Sequence, residues 1–293
     1  MSVAHTIDEI PERPETATTA VILNRDLAGK TLLNLYIAPQ SRYAKTGTFA
    51  GMHYLTQNME IMCISSRGKK MIIALKRSDG VIIYLVSFFG MEGRWLYKPE
   101  NHVSIILEVA TIRKLRNHTI ISDRRTISYC DARRFGILEA VATQAEYDHV
   151  FKEVGPDLLY DQISVQDYAA SIRGPRLAKK EICTWMLNQK YFSGVGNYLR
   201  AEILYESKVA PQRHLDTLTD QEIILLHANT IRIIRESFEK GGLTIATYRA
   251  PDGGIGTYNH KVYSKDRDPI GNPIVQYKCP EKRTVWWVPN IQV

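Results

Sequence analysis

Short apolar runs separated by turn residues dominate the first half of the chain and predict β-strands. Met71 to Leu75 and Val81 to Ser87 are rich in Ile and Val, and Arg77-Ser78-Asp79-Gly80 between them is typical of a hairpin turn. Further strand-like runs lie at 104–110, 119–122 and 126–129. These runs favour an antiparallel sandwich or barrel.

A helix is predicted before these strands, since Pro14 to Leu27 has a helix-compatible pattern that ends before Gly29. From about residue 145 the apolar spacing becomes helical. Leu177 to Lys190 is predicted as a helix with Ile182, Trp185 and Met186 on one face, and Asn197 to Ser207 as another after a glycine-bearing turn. The second half is therefore expected to be mainly helical.

The longest predicted helix begins at a capping box formed by Thr219 and Glu222, and Gly241 and Gly242 end it. Its apolar positions are Ile223, Leu226, Ile231, Ile234 and Phe238. The last thirty or so residues return to strand-like runs around Pro269-Ile270-Gly271-Asn272, which is typical of a hairpin. The pattern as a whole predicts an α+β fold.

Length and charge narrow the class of protein. The chain has 293 residues, of which 44% are hydrophobic, enough for two domains with separate cores. Its 38 basic residues exceed its 31 acidic ones, and the net charge of +7 suits a polyanionic partner. Charge alone leaves open a basic protein without such a partner.

The four cysteines, Cys63, Cys130, Cys183 and Cys279, are scattered and form no CxxC pair. This spacing predicts neither a metal site nor a disulfide framework, and it favours a reducing, intracellular compartment. No apolar run is long enough for a membrane span, and the opening segment has neither the basic nor the apolar region of a signal peptide. We expect no secretion and no membrane anchor.

Six ordered motifs resemble the Fpg/Nei DNA glycosylases. Pro11-Glu12-Arg13-Pro14-Glu15 is similar to the Pro-Glu-Gly-Pro-Glu start of that family, with Arg13 in place of glycine. Arg67-Gly68-Lys69-Lys70 precedes a strand as the family's active-site lysine does. Two further segments resemble its Leu-Gly-Met-Ser-Gly and Asp-Pro-Arg-Arg-Phe-Gly loops, namely Phe89-Gly90-Met91-Glu92-Gly93 and Asp131-Ala132-Arg133-Arg134-Phe135-Gly136.

The strongest resemblance is to the family's helix-two-turn-helix. Trp185 to Lys190 leads into Gly194-Val195-Gly196-Asn197-Tyr198 and ends at Glu202. Arg283 to Pro289 resembles the closing strand of the family's zinc finger, but the four zinc-binding cysteines are absent, as in the zincless finger of some Nei-like members. The resemblance covers residues 10 to 293.

This resemblance implies an N-terminal antiparallel β-sandwich with a flanking helix, a helix-two-turn-helix domain and a zincless β-hairpin finger. The boundaries that it suggests are 11–142, 143–256 and 257–293. It also implies a monomeric DNA glycosylase with AP-lyase activity in base excision repair. Such an enzyme binds damaged double-stranded DNA, needs no cofactor or metal, and excises oxidised pyrimidines and ring-opened purines.

In this family the amine of an N-terminal proline attacks C1′ of the damaged nucleotide and forms a Schiff base, a role that falls on Pro11. Glu12 would act as the acid/base group. Lys69 would bind a phosphate beside the lesion, and Glu15 and Glu202 match supporting carboxylates. A structural reading of Glu15 at the start of a helix is an alternative.

Pro11 lies ten positions inside the chain, and a proline nitrogen within a peptide bond is an amide that cannot act as a nucleophile. One hypothesis is that residues 1–10 are removed, or that translation begins at Ile10. A second is that they remain and the protein binds lesions without catalysis. A third is that the amine of Ser2 or a lysine such as Lys69 substitutes. The sequence leaves all three open.

The resemblance also assigns DNA contacts. Asn197 and Arg283 would clamp the phosphates around the flipped nucleotide, and Gly194 and Gly196 would let free amides of a helix N-terminus approach them. Met91, Arg133 and Phe135 would fill the gap left by the flipped base. The glycine-rich segment 252–258 is expected to form a mobile loop over the base pocket. A nucleic-acid binder of the ribosomal type is a further alternative, against which the N-terminal motifs argue.

Overall fold

A computed structural model of the chain describes residues 11–244 and 248–293. These residues fold into two compact units. The sheet unit contains residues 15–152 and 248–256, and the helical unit contains residues 11–14, 153–244 and 257–293. The three domain boundaries given above stay a prediction.

The sheet unit is built on one eight-stranded sheet in which neighbouring strands are antiparallel, flanked by two helices. The strands are β1 Thr31–Ile37, β2 Met59–Arg67, β3 Lys70–Lys76, β4 Ile82–Phe88, β5 Arg94–Leu96, β6 Val103–Lys114, β7 Thr119–Cys130 and β8 Ile137–Val141, in the order β5-β7-β6-β1-β2-β3-β4-β8. The helices are α1 Arg13–Leu27, of which the residues from Glu15 onward belong to this unit, and α2 Gln144–Phe151.

This sheet closes around one core. Every strand contributes buried apolar residues to a single cluster, which also contains Leu23 and Leu27 of α1. The Trp95 indole N–H on β5, at one end of the strand order, donates at 3.1 Å to Ser87 Oγ on β4, the strand next to the other end. The sheet therefore folds over itself and buries its inner face. Residues of β2 largely alternate between core and surface, whereas five consecutive residues of β3, Met71 to Leu75, are buried. The predicted α+β class, antiparallel sheet and flanking helix are confirmed.

One strand differs from the prediction. The sequence indicated separate strands at 119–122 and 126–129, but β7 is continuous. Its pairing with β6 passes through a register shift between Val109 and Thr111 and continues to Lys114 and Thr119. Asp123 has a left-handed backbone with φ of 46°. A bulge therefore accommodates the polar residues that look like a turn in sequence.

The helical unit contains α3 Val165–Ile172, α4 Ile182–Met186, α5 Asn197–Glu206, α6 Asp220–Glu239 and the two-stranded hairpin β9 Val275–Lys278 with β10 Thr284–Trp287. The capping box at the start of α6 is confirmed, because Thr219 Oγ1 accepts from the Glu222 N–H and the Glu222 carboxylate accepts from the Thr219 N–H. No helix among the described residues is both long and apolar enough to cross a bilayer.

One prediction in this unit was wrong in extent and another was confirmed. The helix expected over 177–190 is only the five-residue α4, because the Ile182 and Cys183 N–H groups donate to Arg213 O and Pro211 O instead of to a preceding helical turn. The hairpin expected around 269–272 does form as a short one, with an antiparallel bridge between Arg267 and Pro273 and Asp268 N–H donating to Asn272 O. A second hairpin, made by β9 and β10, turns at Cys279–Arg283.

Candidate active site and DNA interface

The carboxylate of Glu12 caps the N-terminus of α5 within the helical unit. Its Oε2 accepts from Gly196 N–H at 2.7 Å and from Leu199 N–H at 3.3 Å, and its Oε1 accepts from Tyr198 N–H at 2.9 Å. The side chain is 2% exposed. An ionised carboxylate matches these donors and the positive end of the helix dipole, so α5 fixes Glu12 and with it the adjacent Pro11.

Gly194 and Gly196 make room for this N-terminal segment. A Cβ on Gly196 would lie 2.2 Å from Glu12 Cδ, and one on Gly194 would lie 2.7 Å from Arg13 Cβ. Gly194 also has a φ of +119°, which disfavours other residues. The predicted mechanism, in which these glycines expose helix amides to phosphate, needs correction because Glu12 takes three of the amides. A role for the two glycines in DNA binding stays a prediction.

Arg13, which replaces the family's glycine, forms a buried ion pair. Its Nε lies 2.7 Å from Asp157 Oδ1, and the two side chains are 0% and 3% exposed. Its guanidinium lies 4.6 Å from the centre of the Tyr160 ring, and its backbone N–H donates to Gly194 O at 3.1 Å. Arg13 therefore fastens the Pro11–Glu12 segment to the helical unit.

The side-chain oxygen of Asn197 has a hydrogen-bond partner, whereas its side-chain nitrogen has none among the described residues. Its Oδ1 accepts from Arg200 Nη2 at 2.5 Å, whereas its Nδ2 has no hydrogen-bond partner among the described residues, although the side chain is 2% exposed. Buried donors in folded proteins almost always have acceptors. The Asn197 amide is therefore suited to an acceptor that a ligand brings.

Arg200 connects Asn197 to the β9–β10 hairpin. Its guanidinium is fully buried and also donates to Thr284 O at 3.3 Å, next to Arg283. The Cys279 N–H donates to Arg283 O at 2.9 Å and closes the turn that carries Arg283. The two residues predicted to clamp phosphates thus belong to one hydrogen-bonded network, which sequence reasoning did not identify.

Glu202 is a buried carboxylate on the next turn of α5. It accepts from the backbone N–H groups of Lys261, Val262 and Tyr263 at 2.7 to 2.9 Å. Burial raises the pKa of the Glu202 carboxyl, and the three N–H bonds oppose that rise. These hydrogen bonds connect α5 to the segment before the hairpin and therefore have a structural role. A supporting catalytic role of Glu202 stays a prediction.

The remaining predicted site residues lie in the sheet unit. Glu15 is buried in the first turn of α1, and its main-chain carbonyl accepts from Tyr248 Oη at 2.7 Å. Lys69 lies in the turn between β2 and β3. The neighbouring Lys70 points elsewhere, because its Nζ donates to Val150 O at 2.6 Å and burial lowers the pKa of its ammonium. The binding of a phosphate by Lys69 stays a prediction.

The two loops that carry Met91, Arg133 and Phe135 are in contact. A Cβ on Gly90 would lie 2.7 Å from the carbonyl carbon of Phe135, so the loops approach through Gly90. The Arg133 guanidinium lies 5.4 Å from the centre of the Phe135 ring, which is half exposed. An exposed aromatic ring beside a guanidinium has the properties of a wedge between bases.

Asp131 shapes the second loop and was missed as a site residue. Its carboxylate accepts from Arg134 N–H at 3.0 Å and from Gly136 N–H at 2.7 Å, while Arg134 has a left-handed backbone with φ of 59°. Tyr129 supports both loops, because its hydroxyl donates to Phe89 O at 3.0 Å and leaves no space for a side chain at Gly136. The signal available in the sequence was an aspartate at the start of a polar loop that ends in glycine.

The segment predicted to cover the base pocket is partly ordered by its own turn. Ala250 N–H donates to Gly254 O, and Gly253 N–H donates to Ala250 O. Gly253 has a φ of +89°. Its mobility and its position over a base stay predictions.

Two parts of the chain match known families. Residues 10–138 match the Formamidopyrimidine-DNA glycosylase N-terminal domain, and residues 154–249 match the Formamidopyrimidine-DNA glycosylase H2TH domain. A curated formamidopyrimidine-DNA glycosylase of Listeria monocytogenes is 29% identical over 289 residues, which cover 97% of this chain and 100% of that protein.

Solved structures of the same fold align over nearly the whole chain. The crystal structure of the MutM (Fpg) protein of Thermus thermophilus aligns with a TM-score of 0.78 at 24% identity, covering 96% of this chain and 98% of that one. A Lactococcus lactis Fpg mutant bound to DNA containing Fapy-dG aligns with a TM-score of 0.77 at 25% identity, covering 96% and 99%.

An antiparallel sheet unit joined to a helical unit of the helix-two-turn-helix type defines a class of DNA-repair protein. Within that class, the chain belongs to the Fpg/Nei family of DNA glycosylases.

Proposed function

We propose that the chain excises oxidised bases from double-stranded DNA and then cleaves the abasic strand, using the amine of Pro11. The observation that carries this proposal is the anchoring of Pro11-Glu12-Arg13 by the N-terminus of α5 and by Asp157. A segment fixed in this way holds a nucleophile in one position, which lowers the entropic part of a reaction barrier.

In the proposed reaction the neutral Pro11 nitrogen attacks C1′ of the damaged nucleotide. A C1′–N bond forms, the bond to the base breaks, and opening of the sugar ring gives an iminium that acts as an electron sink for strand cleavage. Three N–H groups hold Glu12 as a carboxylate, so it starts in the form that can take a proton. It accepts the proton that the Pro11 nitrogen loses when the C1′–N bond forms and delivers that proton to the departing sugar oxygen.

This chemistry needs a free imino nitrogen at Pro11. We propose that residues 1–10 are removed or that translation starts at Ile10. The match to the family's N-terminal domain begins at residue 10, which supports Pro11 as the counterpart of the family's first catalytic residue.

The named relatives support a ring-opened purine as a substrate. They are formamidopyrimidine-DNA glycosylases, and the Lactococcus lactis protein at 25% identity was solved with Fapy-dG in its DNA. Oxidised pyrimidines stay a further prediction, which rests on the zincless finger.

DNA binding would combine specific phosphate contacts with non-specific attraction by basic side chains. The spare Nδ2 of Asn197 and the guanidinium of Arg283 would bind phosphates, and Met91, Arg133 and Phe135 would fill the vacated stack. The exposed end of the β6–β7 hairpin adds charge that neutralises phosphates without reading sequence. Between residues 111 and 126 its basic side chains are Arg113, Lys114, Arg116, Arg124 and Arg125, against one acidic residue, Asp123.

A second function is favoured by one observation, namely that Pro11 follows Ile10 in the chain as written. If that peptide bond persists, the protein would bind lesions without catalysis. Either function places the protein on DNA inside the cell, and a monomer suffices for both.

Borohydride trapping on duplexes with one abasic site or one Fapy-dG distinguishes the two functions. The chain would be prepared with residues 1–10, without them, and without them but acetylated on Pro11 as a matched control. We expect a covalent adduct from the trimmed chain alone. Lesion-specific binding by all three preparations without any adduct would exclude the enzyme and support the second function.

A further inference from the structure

Three side chains of types that bind metals meet inside the helical unit. They come from two segments that are far apart in sequence. Cys183 lies on α4, and Cys279 and Glu281 lie on the turn between β9 and β10. The two thiol sulfurs and a carboxylate oxygen all lie within 4.8 Å of one another. Both cysteines are buried free thiols, and Glu281 is half-buried.

We propose that Cys183, Cys279 and Glu281 bind one thiophilic divalent cation, with Zn²⁺ the best match. Two thiolates and one carboxylate suit zinc, whereas magnesium and calcium prefer oxygen ligands alone. Ligands around a tetrahedral zinc ion lie about 3.5 to 3.8 Å apart, so side-chain shifts of about 1 Å would complete the site.

The charge balance permits such a cation despite a neighbouring arginine. Arg200 is fully buried, and its Nη1 lies 2.6 Å from Glu281 Oε1 and 3.5 Å from Cys279 Sγ. When a divalent cation binds, the two thiols lose one proton each. The exchange of two protons for two positive charges leaves the net charge of the buried cluster unchanged, so it adds no uncompensated charge to a region of low dielectric.

The groups around the cluster already hold the ligands in place. Thr184 Oγ1 donates to Glu281 Oε2 at 2.6 Å, while Arg200 occupies the other oxygen. Such hydrogen bonds to ligating carboxylates orient them in metal sites. Glu181 lies beside the cluster, where its Oε2 accepts from the Cys183 thiol at 3.4 Å and its Oε1 from Tyr277 Oη at 2.8 Å. It is not one of the three mutually close ligands, so a water would complete the coordination.

The cation would join α4 to the hairpin turn that carries Arg283. That turn is also closed by the Lys282 N–H, which donates to Cys279 O at 2.8 Å. A metal bridge would restrict the hairpin relative to α4 within this unit. Sequence spacing gave no sign of it, because Cys183 and Cys279 are not part of a CxxC pattern.

The test uses the full chain, reduced and stripped with a chelator, and Co²⁺ as a spectroscopic probe in place of Zn²⁺. We expect one ion per chain and a sulfur-to-cobalt charge-transfer band that stoichiometric Zn²⁺ abolishes. Cys183→Ser, Cys279→Ser and Glu281→Gln should each weaken binding by at least about tenfold. Cys130→Ser, at a buried cysteine in the sheet unit, is the matched control and should retain the band.

Three results would overturn the proposal. They are no ion retained after gel filtration, a charge-transfer band that persists in Cys183→Ser, or a Cys183–Cys279 disulfide found by peptide mass analysis of protein taken directly from cells. If the serine variants do not fold, the Glu281→Gln variant and the metal content of the unmutated chain still decide. The outcome is independent of glycosylase activity, because binding is read without DNA.

Discussion

Breaking the buried ion pair between Arg13 and Asp157 should destabilise the helical unit strongly. Asp157 Oδ1 accepts a hydrogen bond from the Leu159 N–H at 3.0 Å. Asp157→Asn preserves the size of the side chain and an oxygen that can still accept this bond. It removes the negative charge that faces Arg13 at 2.7 Å. The Arg13 charge would then be buried without its carboxylate.

The burial of both side chains determines how much the substitution lowers the free energy of unfolding. Arg13 is 0% exposed and Asp157 is 3% exposed, so solvent screening is small. Removing one partner of such a pair typically costs about 3–5 kcal/mol, whereas replacing both with uncharged side chains is often close to neutral. We therefore expect Asp157→Asn to lower the free energy of unfolding by about 3 kcal/mol or more, and Arg13→Met/Asp157→Asn to restore most of it.

Denaturant unfolding followed by tryptophan fluorescence can isolate this unit. Trp185, Trp286 and Trp287 lie in the helical unit, and Trp95 lies in the sheet unit. In a Trp95→Phe background the fluorescence reports the helical unit, and the four variants of the cycle are compared there. Trapping yield, measured on trimmed chains, should fall with Asp157→Asn and stay low in the double variant if the ion pair itself positions Pro11.

A change of less than about 0.5 kcal/mol in the free energy of unfolding on Asp157→Asn, typical of an exposed position, would show that the ion pair does not stabilise this unit. The effects of the two single substitutions must also be coupled, with the double variant losing less than their sum. Additive effects would mean that each side chain contributes through other contacts and that the pair itself holds nothing in place.

Three further predictions concern catalysis, binding and pH. Glu12→Gln should lower single-turnover excision by at least about 100-fold, since glutamine cannot shuttle a proton and offers one acceptor oxygen to three N–H groups; excision at the normal rate would refute the role. Arg283→Ala should make the negative slope of log K against log salt less steep by about 1 for any DNA sequence, and Lys282→Ala, with an equal loss of charge one residue away, should change it less. Burial, with a smaller contribution from Lys265, lowers the pKa of His260 from 6.5 to about 4. The unfolded chain therefore binds more protons between these values, and the free energy of unfolding should fall as pH falls through that window, less so in His260→Asn.

Local patterns in the sequence predicted the elements whose structure depends on local interactions. The capping box of α6 and the strands around residues 71–87 formed as expected, because their turns, caps and periodicity are encoded by neighbouring residues. The helix over 177–190 was overestimated, since its first amides bond to residues 211 and 213. Periodicity carries no information about such distant acceptors.

Motif order predicted the candidate site residues but not how they are held. That Glu12 would take the amides of α5, and that Arg13 would pair with a residue 144 positions away, depends on contacts between distant segments. The hydrogen bonds from Arg200 to Asn197 and to the hairpin also depend on segments that are distant in sequence. A single sequence shows which side chains are present, whereas their partners emerge only after folding.

Locating the covalent bond in the borohydride-reduced complex shows whether the Pro11 nitrogen is the nucleophile. The trimmed chain would be trapped on a Fapy-dG duplex, digested with nuclease and protease, and its peptides sequenced by mass spectrometry. We expect the sugar remnant on the nitrogen of Pro11. A remnant on Lys69 or another lysine, with Pro11 unmodified, would exclude Pro11 as the nucleophile.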